Sequence, residues 1–169
     1  MKRLVLILCA FLLFCSKENK ADNDENTNIQ INETLPSLNL TLSNDKLITD
    51  EELTGKVSVI ILFTVACPDC QKQLPIVEQL YSDIKDDDSV VFFGISRAQA
   101  QNVIEEYWQG NDLTLPYSAQ EDAAVYNLFA KAIVPRIYIA DKNRIVKFIS
   151  TDNPLVSYDD LKNMIELLK

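Results

Sequence analysis

The 169-residue sequence contains no histidine and only four cysteines. A structural zinc site needs four cysteine, histidine or carboxylate ligands, and Cys67 and Cys70 have no second pair to complete such a set. Copper-transfer sites usually add a histidine or a methionine beside the cysteine pair, and neither is adjacent here. We therefore predict no metal site and no bound cofactor.

Positive charge is also scarce. The chain has 16 Lys and Arg residues against 25 Asp and Glu residues, which gives a formal net charge of −9 at pH 7. Nucleic acids and anionic lipid headgroups are bound largely through clustered basic side chains. This balance disfavours both as partners, and we interpret the acidic excess as an ordinary solvated surface.

The N-terminus has the anatomy of an export signal. A basic start, Lys2-Arg3, precedes the apolar run Leu4–Phe14, which is too short to span a bilayer comfortably. The run ends in Leu12-Leu13-Phe14-Cys15, which resembles the lipobox of bacterial lipoproteins except that a small residue usually precedes the cysteine. We expect lipidation at Cys15, with Cys9 as the weaker candidate. An uncleaved anchor and a plain secretory signal are the alternatives.

The rest of the chain divides into a tether and one domain. We assign residues 1–15 to the signal peptide and residues 16–34 to a disordered polar tether, because 16–34 has almost nothing to bury. Residues 35–169 suit a single domain with an adequate core. About twenty flexible residues reach roughly 25 Å, so the domain would work near a membrane without lying in it. The predicted location is extracytoplasmic, facing the periplasm in a Gram-negative cell.

Cys67-Pro68-Asp69-Cys70 is the most informative part of the sequence. It follows Val57–Phe63, a β-branched apolar run typical of a buried strand, and it precedes apolar residues at helical spacing. Cys67 therefore lies where a strand ends and a helix begins, and the unpaired N–H groups of a helix N-terminus stabilise a thiolate. We predict a redox-active Cys67–Cys70 disulfide. A structural disulfide is the alternative, although so short a loop restricts the unfolded chain little.

Strand and helix patterns alternate along residues 35–169. We expect a hairpin within 37–48, a capped turn at 49–53, strands at 57–64 and 90–95, helices at 68–85 and 98–109, a short helix at 122–129, a hairpin at 137–149, and a last helix capped by Ser157. Ser96 and Gln99 would cap the 98–109 helix, Pro75 would kink the 68–85 helix, and Trp108 would pack in the core. This order predicts an α/β fold with a mixed sheet between helical layers.

The pattern resembles the thioredoxin fold, and more narrowly the membrane-anchored TlpA/ResA-like thiol–disulfide oxidoreductases. The resemblance covers residues 35–169 and is carried by Leu35-Pro36-Ser37-Leu38, Gly55-Lys56, Cys67-Pro68-Asp69-Cys70, Leu74-Pro75 and Val134-Pro135. It implies a thioredoxin-like three-layer α/β/α sandwich with an N-terminal β-hairpin extension, in a bacterial lipoprotein. It also implies that Pro135 is cis and faces the dithiol, and that Val134 and Pro135 shape a groove for an extended peptide.

Three positions depart from the family pattern. Ala66 stands where the family usually has tryptophan, Gln73 where many relatives have a proton-transferring glutamate, and Ile61 where thioredoxins have a buried aspartate. Asp69 is then the only carboxylate inside the motif, and its charge should raise thiol pKa values. It is either a proton relay or, like Pro68, a residue that merely favours the start of a helix.

These residues predict a thiol–disulfide oxidoreductase in which Cys67 attacks a substrate disulfide and Cys70 resolves the mixed disulfide. A reductase is favoured over an oxidase, because Asp69 should destabilise the thiolate, whereas strong oxidants have a stabilised reduced form. The expected partners are client proteins with disulfides and a membrane electron donor that the sequence does not identify. Apocytochrome c is a client that the family resemblance suggests.

Two other functions stay open from the sequence. Thr64, three residues before Cys67, and Arg136 are similar to residues of peroxiredoxins and favour a thiol peroxidase, although Ile60 stands where that family has a proline. The third hypothesis is a non-catalytic lipoprotein that uses the domain as a binding module, since a fold does not determine a function.

Overall fold

The computed structural model describes residues 25–169. The predicted signal peptide over 1–15, the lipidation of Cys15 and residues 16–24 of the predicted tether lie outside the described residues. Among residues 25–169, no helix is long and apolar enough to cross a bilayer.

The described chain alternates strands and helices much as the sequence predicts. The elements are β1 (Asn39–Thr41), β2 (Leu47–Thr49), α1 (Asp50–Leu53), β3 (Val57–Phe63), α2 (Pro68–Ile84), β4 (Val90–Ser96), α3 (Gln101–Gly110), β5 (Tyr117–Ser118), α4 (Tyr126–Phe129), β6 (Arg136–Ala140), β7 (Val146–Ser150) and α5 (Tyr158–Leu168). The short helix predicted from residue 122 begins only at Tyr126. Pro75 lies inside α2, which continues through it.

Strand β3 lies at the centre of a five-stranded sheet with the order β5-β4-β3-β6-β7. It runs parallel to β4 and antiparallel to β6, so the sheet is mixed, as predicted. Strands β1 and β2 form a separate two-stranded antiparallel sheet, which is the predicted N-terminal hairpin. The observed architecture is therefore the expected α/β fold.

The central sheet separates two cores, because successive side chains of a strand point to opposite faces. One face, called the dithiol face, is formed on β3 by Val57, Val59, Ile61 and Phe63, and helices α2, α3 and α5 pack on it together with Cys70. The opposite face, called the tyrosine face, carries Ile60 and Leu62 of β3 and packs against the hairpin, α1 and α4. Tyr126 and Tyr138 are fully buried on the tyrosine face.

Residues 25–34 lie on the domain, and the tether prediction is wrong for this part of the chain. The backbone of Asn28 and Ile29 donates to Phe129 O, and Lys131 N donates to Asn26 O. Further along, Asn32 N donates to Val146 O at the edge of β7. Polar composition predicted disorder, but backbone groups of any residue can pair with an exposed strand edge. The folded domain therefore begins before residue 35.

The helix starts show which local signals held. The Thr49 hydroxyl accepts a hydrogen bond from Glu52 N at the start of α1, and the Ser157 hydroxyl accepts one from Asp160 N at the start of α5, as predicted. The predicted cap of the 98–109 helix is wrong, since α3 begins at Gln101 after Ala100, which makes no side-chain cap. Ser96 ends strand β4 instead.

Candidate active site

Cys67 lies at the start of α2, where the sequence placed it. Strand β3 ends at Phe63, the chain turns through residues 64–66, and Cys67 takes an extended conformation as the N-cap residue, with Pro68 following in the first turn. Its backbone N–H donates to Thr64 O at 3.2 Å, and its carbonyl accepts from Gln71 N at 3.0 Å. The thiol is therefore held beside the unpaired N–H groups of the first helical turn, where a negative charge is stabilised.

The two cysteines are free thiols with unequal exposure. Cys67 is half-buried, whereas Cys70 has 0% of its surface exposed. Burial raises the pKa of the Cys70 thiol far above its ordinary value, and negative charge on Cys67 and Asp69 adds to that rise. A backbone hydrogen bond from Thr64 acts in the opposite direction but is outweighed. The geometry makes Cys67 the accessible sulfur and keeps Cys70 protonated behind it.

The loop before β6 faces Cys67. The Cys67 thiol donates to Val134 O, with 3.4 Å between sulfur and oxygen, although the two residues are 67 positions apart. The Val134–Pro135 peptide is cis, as the family resemblance implied. Pro135 is buried, and Val134 is half-buried between the two cores. Ile133, directly before them, has a φ of 72°.

Two glutamine side chains hold the turn that leads into Cys67. Gln99 accepts from Val65 N through its Oε1 at 2.8 Å, and Gln71 donates from Nε2 to Val65 O at the same distance. Both backbone polar groups of Val65 are thereby satisfied, one by a side chain of α2 and the other by a side chain of the loop before α3. This role was not predicted from the sequence: the pattern at Gln99 indicated a helix cap, and nothing in the sequence singled out Gln71.

Gln73 is buried one turn after Cys70, with 1% of its surface exposed. Its amide forms two hydrogen bonds with one residue, donating to Val156 O at 3.0 Å and accepting from Val156 N at 3.1 Å. The side chain therefore joins α2 to the loop before α5. That loop and α5 line a cavity of about 530 Å³ at the edge of β7, whose lining does not include either cysteine.

Asp69 does not stand alone as a charge inside the motif. Its carboxylate pairs with Lys72 at 2.8 Å; the Lys72 side chain is largely exposed and the Asp69 side chain is partly exposed. The Asp69 carboxylate raises the pKa of the Lys72 ammonium. The negative charge that the sequence analysis assigned to the thiol environment is thus partly balanced by a neighbouring positive charge.

Arg136 lies on the face of the sheet opposite the dithiol. It pairs with Leu62 across β3 and β6, and both side chains project to the tyrosine face. Its Nε donates to Ala132 O at 2.9 Å, and a terminal nitrogen donates to Thr27 Oγ1 at 2.6 Å. The comparison with a peroxidase arginine is therefore wrong: strand alternation turns the guanidinium away from Cys67. Thr64 does lie beside the thiols, through its backbone.

Within residues 25–169, no group of three or more histidine, cysteine, aspartate or glutamate side chains is placed to hold a metal ion. The chemically distinctive groups of the site are the two thiols and the backbone that faces them. Such an arrangement is suited to exchange between sulfur atoms, since an accessible thiol lies at a helix N-terminus and a second thiol lies within the same turn.

Comparison with known proteins identifies relatives of this architecture. A family model described as thioredoxin-like matches residues 55–146. A proposed protein disulfide isomerase from Bacteroides thetaiotaomicron superimposes with a TM-score of 0.75 at 20% identity, over 84% of this chain and 89% of that one. StoA from Bacillus subtilis gives 0.64 at 18% identity, over 76% and 96%. A secreted disulfide oxidoreductase from Mycobacterium tuberculosis gives 0.67 at 16%, over 78% and 96%. No curated protein sequence matches the chain.

Proposed function

The chain belongs to the thioredoxin-like family, and from that premise we propose that it is a thiol–disulfide oxidoreductase that reduces disulfides of client proteins. One observation carries the proposal: Cys67 is accessible at the N-terminus of α2, while Cys70 is fully buried one turn further on. An attacking sulfur has to reach the substrate, and a resolving sulfur has to reach only its neighbour. The burial of the two thiols matches those two tasks.

The reaction proceeds in two exchanges. The Cys67 thiolate attacks one sulfur of the substrate disulfide, a new bond forms between Cys67 and that sulfur, and the other substrate sulfur leaves as a thiolate that takes a proton. Cys70 then loses its proton and attacks the Cys67 sulfur. The Cys67–Cys70 disulfide forms and the second substrate sulfur is released. The substrate gains two electrons and two protons, and the dithiol is oxidised.

The Val134 loop is the proposed wall of the substrate groove. Val134 is half-buried, and its carbonyl already contacts the Cys67 sulfur. Pro135 is buried directly after Val134, and the chain neighbours of Cys67, Ala66 and Pro68, are both exposed. An extended peptide placed here would meet backbone groups and small side chains, which accept many sequences. The groove thus suits client proteins that share a disulfide rather than a sequence.

The direction of electron flow is part of the proposal. In the sequence, the negative charge of Asp69 favoured a reductase, and the ion pair with Lys72 offsets part of that charge. Burial of Cys70 supplies a second reason: it raises the pKa of the Cys70 thiol, so the reduced dithiol gains no stability from ionisation of Cys70. Strong oxidants owe their potential to a stabilised reduced form. We therefore propose that the protein acts as a reductase and that a membrane electron donor regenerates its dithiol.

We also propose that the protein is anchored outside the cytoplasm. The support is the apolar run that ends at Cys15 in the sequence, since the residues concerned lie outside those described. The secreted relative from Mycobacterium tuberculosis agrees with an extracytoplasmic site of action. Client proteins there include secreted chains with disulfides, apocytochrome c among them. Loss of acyl labelling in a Cys15→Ser variant tests the anchor, and retained labelling contradicts it.

Trapping of mixed disulfides tests the division of labour between the cysteines. Cys70→Ser should accumulate covalent adducts between Cys67 and a disulfide-bonded peptide, because the resolving thiol is gone. Cys67→Ser, the matched control with the same atom changed, should accumulate almost none. Equal trapping by both variants would refute the assignment. Insulin reduction measured beside hydroperoxide consumption separates the oxidoreductase from a peroxidase, and activity in neither assay favours the binding module.

A further inference from the structure

The loop that faces the thiol contains a backbone conformation that its sequence does not favour. Ile133 has a φ of 72°, in the left-handed region. A β-branched residue is rare there, because its branched Cβ crowds the backbone. Such conformations persist only where the surrounding structure holds them, and they cluster at functional sites. Ile133 directly precedes Val134, whose carbonyl oxygen lies 3.4 Å from the Cys67 sulfur.

Side chains from the tyrosine face hold this part of the loop. The Tyr126 hydroxyl donates to Ile133 O at 2.8 Å, and the preceding carbonyl, Ala132 O, accepts from Arg136 Nε at 2.9 Å. Tyr126 and Arg136 are both fully buried. The guanidinium of Arg97, the residue directly after β4, lies 4.5 Å from the centre of the Tyr126 ring. Two successive carbonyls of the loop thus accept hydrogen bonds from buried side chains of the tyrosine face.

We propose that Tyr126 is a positioning residue for the active site: its hydroxyl holds Ile133 in the left-handed conformation and so keeps the Val134 carbonyl against Cys67. The hydroxyl donates to Ile133 O, and its effect reaches the groove through the backbone of Ile133 and Val134. This inference rests on the proposed function, because the shape of the groove matters only if Cys67 exchanges disulfides with peptides.

The proposal separates two kinds of reactivity. A peptide disulfide has to lie in the groove before Cys67 can attack it, so a displaced Val134 weakens its binding. A small alkylating reagent needs only an accessible thiolate, and the position of Cys67 comes from α2 and not from the Val134 loop. Loss of the Tyr126 hydroxyl should therefore impair peptide exchange and spare alkylation.

Tyr126→Phe tests this separation, because it removes only the hydroxyl. We expect kcat/KM for a disulfide-bonded peptide to fall about tenfold, mainly through KM, since small displacements in a reactive site have effects of that order or larger. The rate of carbamidomethylation of Cys67 by iodoacetamide should stay within about twofold of wild type. Tyr158→Phe is the matched control: it removes a hydroxyl that donates to Asp83 at 2.6 Å, near the other end of α2, and both rates should stay at the wild-type value.

Rescue by glycine distinguishes positioning from general support of the fold. Glycine takes a positive φ without steric cost, so Ile133→Gly removes the need for the hydroxyl. In the Ile133→Gly background, adding Tyr126→Phe should lower kcat/KM by less than about twofold. A wild-type kcat/KM for Tyr126→Phe overturns the inference, and so does an equal loss in both backgrounds.

An NMR measurement needs no substrate and keeps this inference distinct from the proposed function. The φ of Ile133, obtained from its HN–Hα coupling and backbone shifts, should leave the left-handed region in Tyr126→Phe and keep it in Tyr158→Phe. An unchanged φ overturns the positioning role whatever the enzyme does. Absence of peptide exchange in the wild type instead removes the proposed function, while the NMR result still decides whether Tyr126 sets the loop.

Discussion

The two faces of the central sheet position different parts of the active site, and they do so through different interactions. On the dithiol face, apolar packing of α2 against β3 brings Cys70 into the core, and burial there penalises charge. On the tyrosine face, buried side chains donate to carbonyls between the end of α4 and Val134. Tyr138 binds Phe129 O, Arg136 binds Ala132 O and Tyr126 binds Ile133 O. Packing therefore places the helix with the thiols, and hydrogen bonds place the loop opposite them.

The difference predicts which changes each face tolerates. A helix held by apolar packing should be sensitive to introduced charge, because a buried charge without a partner is costly. A loop held by hydrogen bonds should be sensitive to the removal of its partners, because each broken bond leaves a buried polar group unsatisfied. Four measurements, from the largest expected effect to the smallest, test this contrast.

Removal of the N-terminal segment should have the largest effect, on the tyrosine face. A chain that begins at residue 35 lacks the backbone bonds that join 25–34 to residues 129–131 and 146, and it lacks Thr27, which accepts from buried Arg136. At about 1 kcal/mol for each bond, we expect a loss of roughly 3–5 kcal/mol relative to a chain that begins at residue 25. Urea unfolding measures it, and coincident curves would show that the segment is dispensable.

Gln73→Glu, on the dithiol face, should have the next largest effect on stability. Val156 N needs an acceptor and Val156 O needs a donor, and a carboxyl group supplies both only when it is protonated. The folded state should therefore raise the pKa of the new carboxyl above its unfolded value of about 4.3. The sign follows: stability is retained below that unfolded pKa and is lost as pH rises toward the folded pKa, by about 2–3 kcal/mol near neutrality.

Gln71→Glu is the control for that experiment, since it makes the same chemical change two residues earlier at an exposed position. Ionisation at this position also removes the donor to Val65 O, but the side chain is exposed and water can replace it, so stability should fall by no more than about 1 kcal/mol between pH 4 and pH 8. A flat pH profile for Gln73→Glu would mean that the buried amide can be replaced by a carboxylate at no cost. It would also restore the proton-transfer role that the family resemblance suggests for a glutamate at this position.

The native dithiol should show a related, smaller pH effect. Burial raises the pKa of Cys70 in the folded state, so the unfolded chain releases this proton first as pH rises. Stability from this group is complete below the unfolded thiol pKa, about 8.5, and declines above it by about 1.4 kcal/mol per pH unit. The reduced protein should therefore lose stability more steeply above pH 9 than Cys70→Ser. If the stabilities of the two proteins fell with pH at the same rate, burial would not be inhibiting the ionisation of Cys70.

The Asp69–Lys72 pair should give the smallest effect, because water reaches both side chains and screens their charges. Lys72→Gln leaves the Asp69 carboxylate unpaired near the thiols and should make the couple more reducing; Asp69→Asn should make it more oxidising. We expect shifts of about twofold in the exchange equilibrium with glutathione, in opposite directions, that vanish in the double variant and at high salt. Shifts of the same sign would exclude a charge effect.

Much of the fold could be predicted because its signals are local. The apolar run Val57–Phe63 and the spacing after Cys67 identified β3 and α2, and Thr49 and Ser157 cap their helices through side-chain bonds to backbone three residues away. The same chemistry failed at Ser96, whose hydroxyl accepts from Gln120 N at 2.7 Å. A local capping pattern loses to a distant partner that the sequence does not reveal.

Composition failed in a similar way at the N-terminus. Residues 25–34 are polar, and polar composition argues against a core but not against backbone pairing with a strand edge. The position of Arg136 could not be predicted either, since one step of register decides which face of a sheet a side chain reaches. The hydrogen bonds of Gln71, Gln73 and Gln99 could not be predicted, since only the fold places Val65 and Val156 beside them.

By itself, the sequence determined that a reactive cysteine pair lies at the junction of a buried strand and a helix, because strand propensity, helical spacing and the helix N-terminus act over a few neighbouring residues. Only the tertiary structure decided what faces those thiols. The Val134 carbonyl comes from 67 residues away, and the buried side chains beneath it come from α4 and β6. Such contacts depend on sheet order and register, which no local pattern encodes.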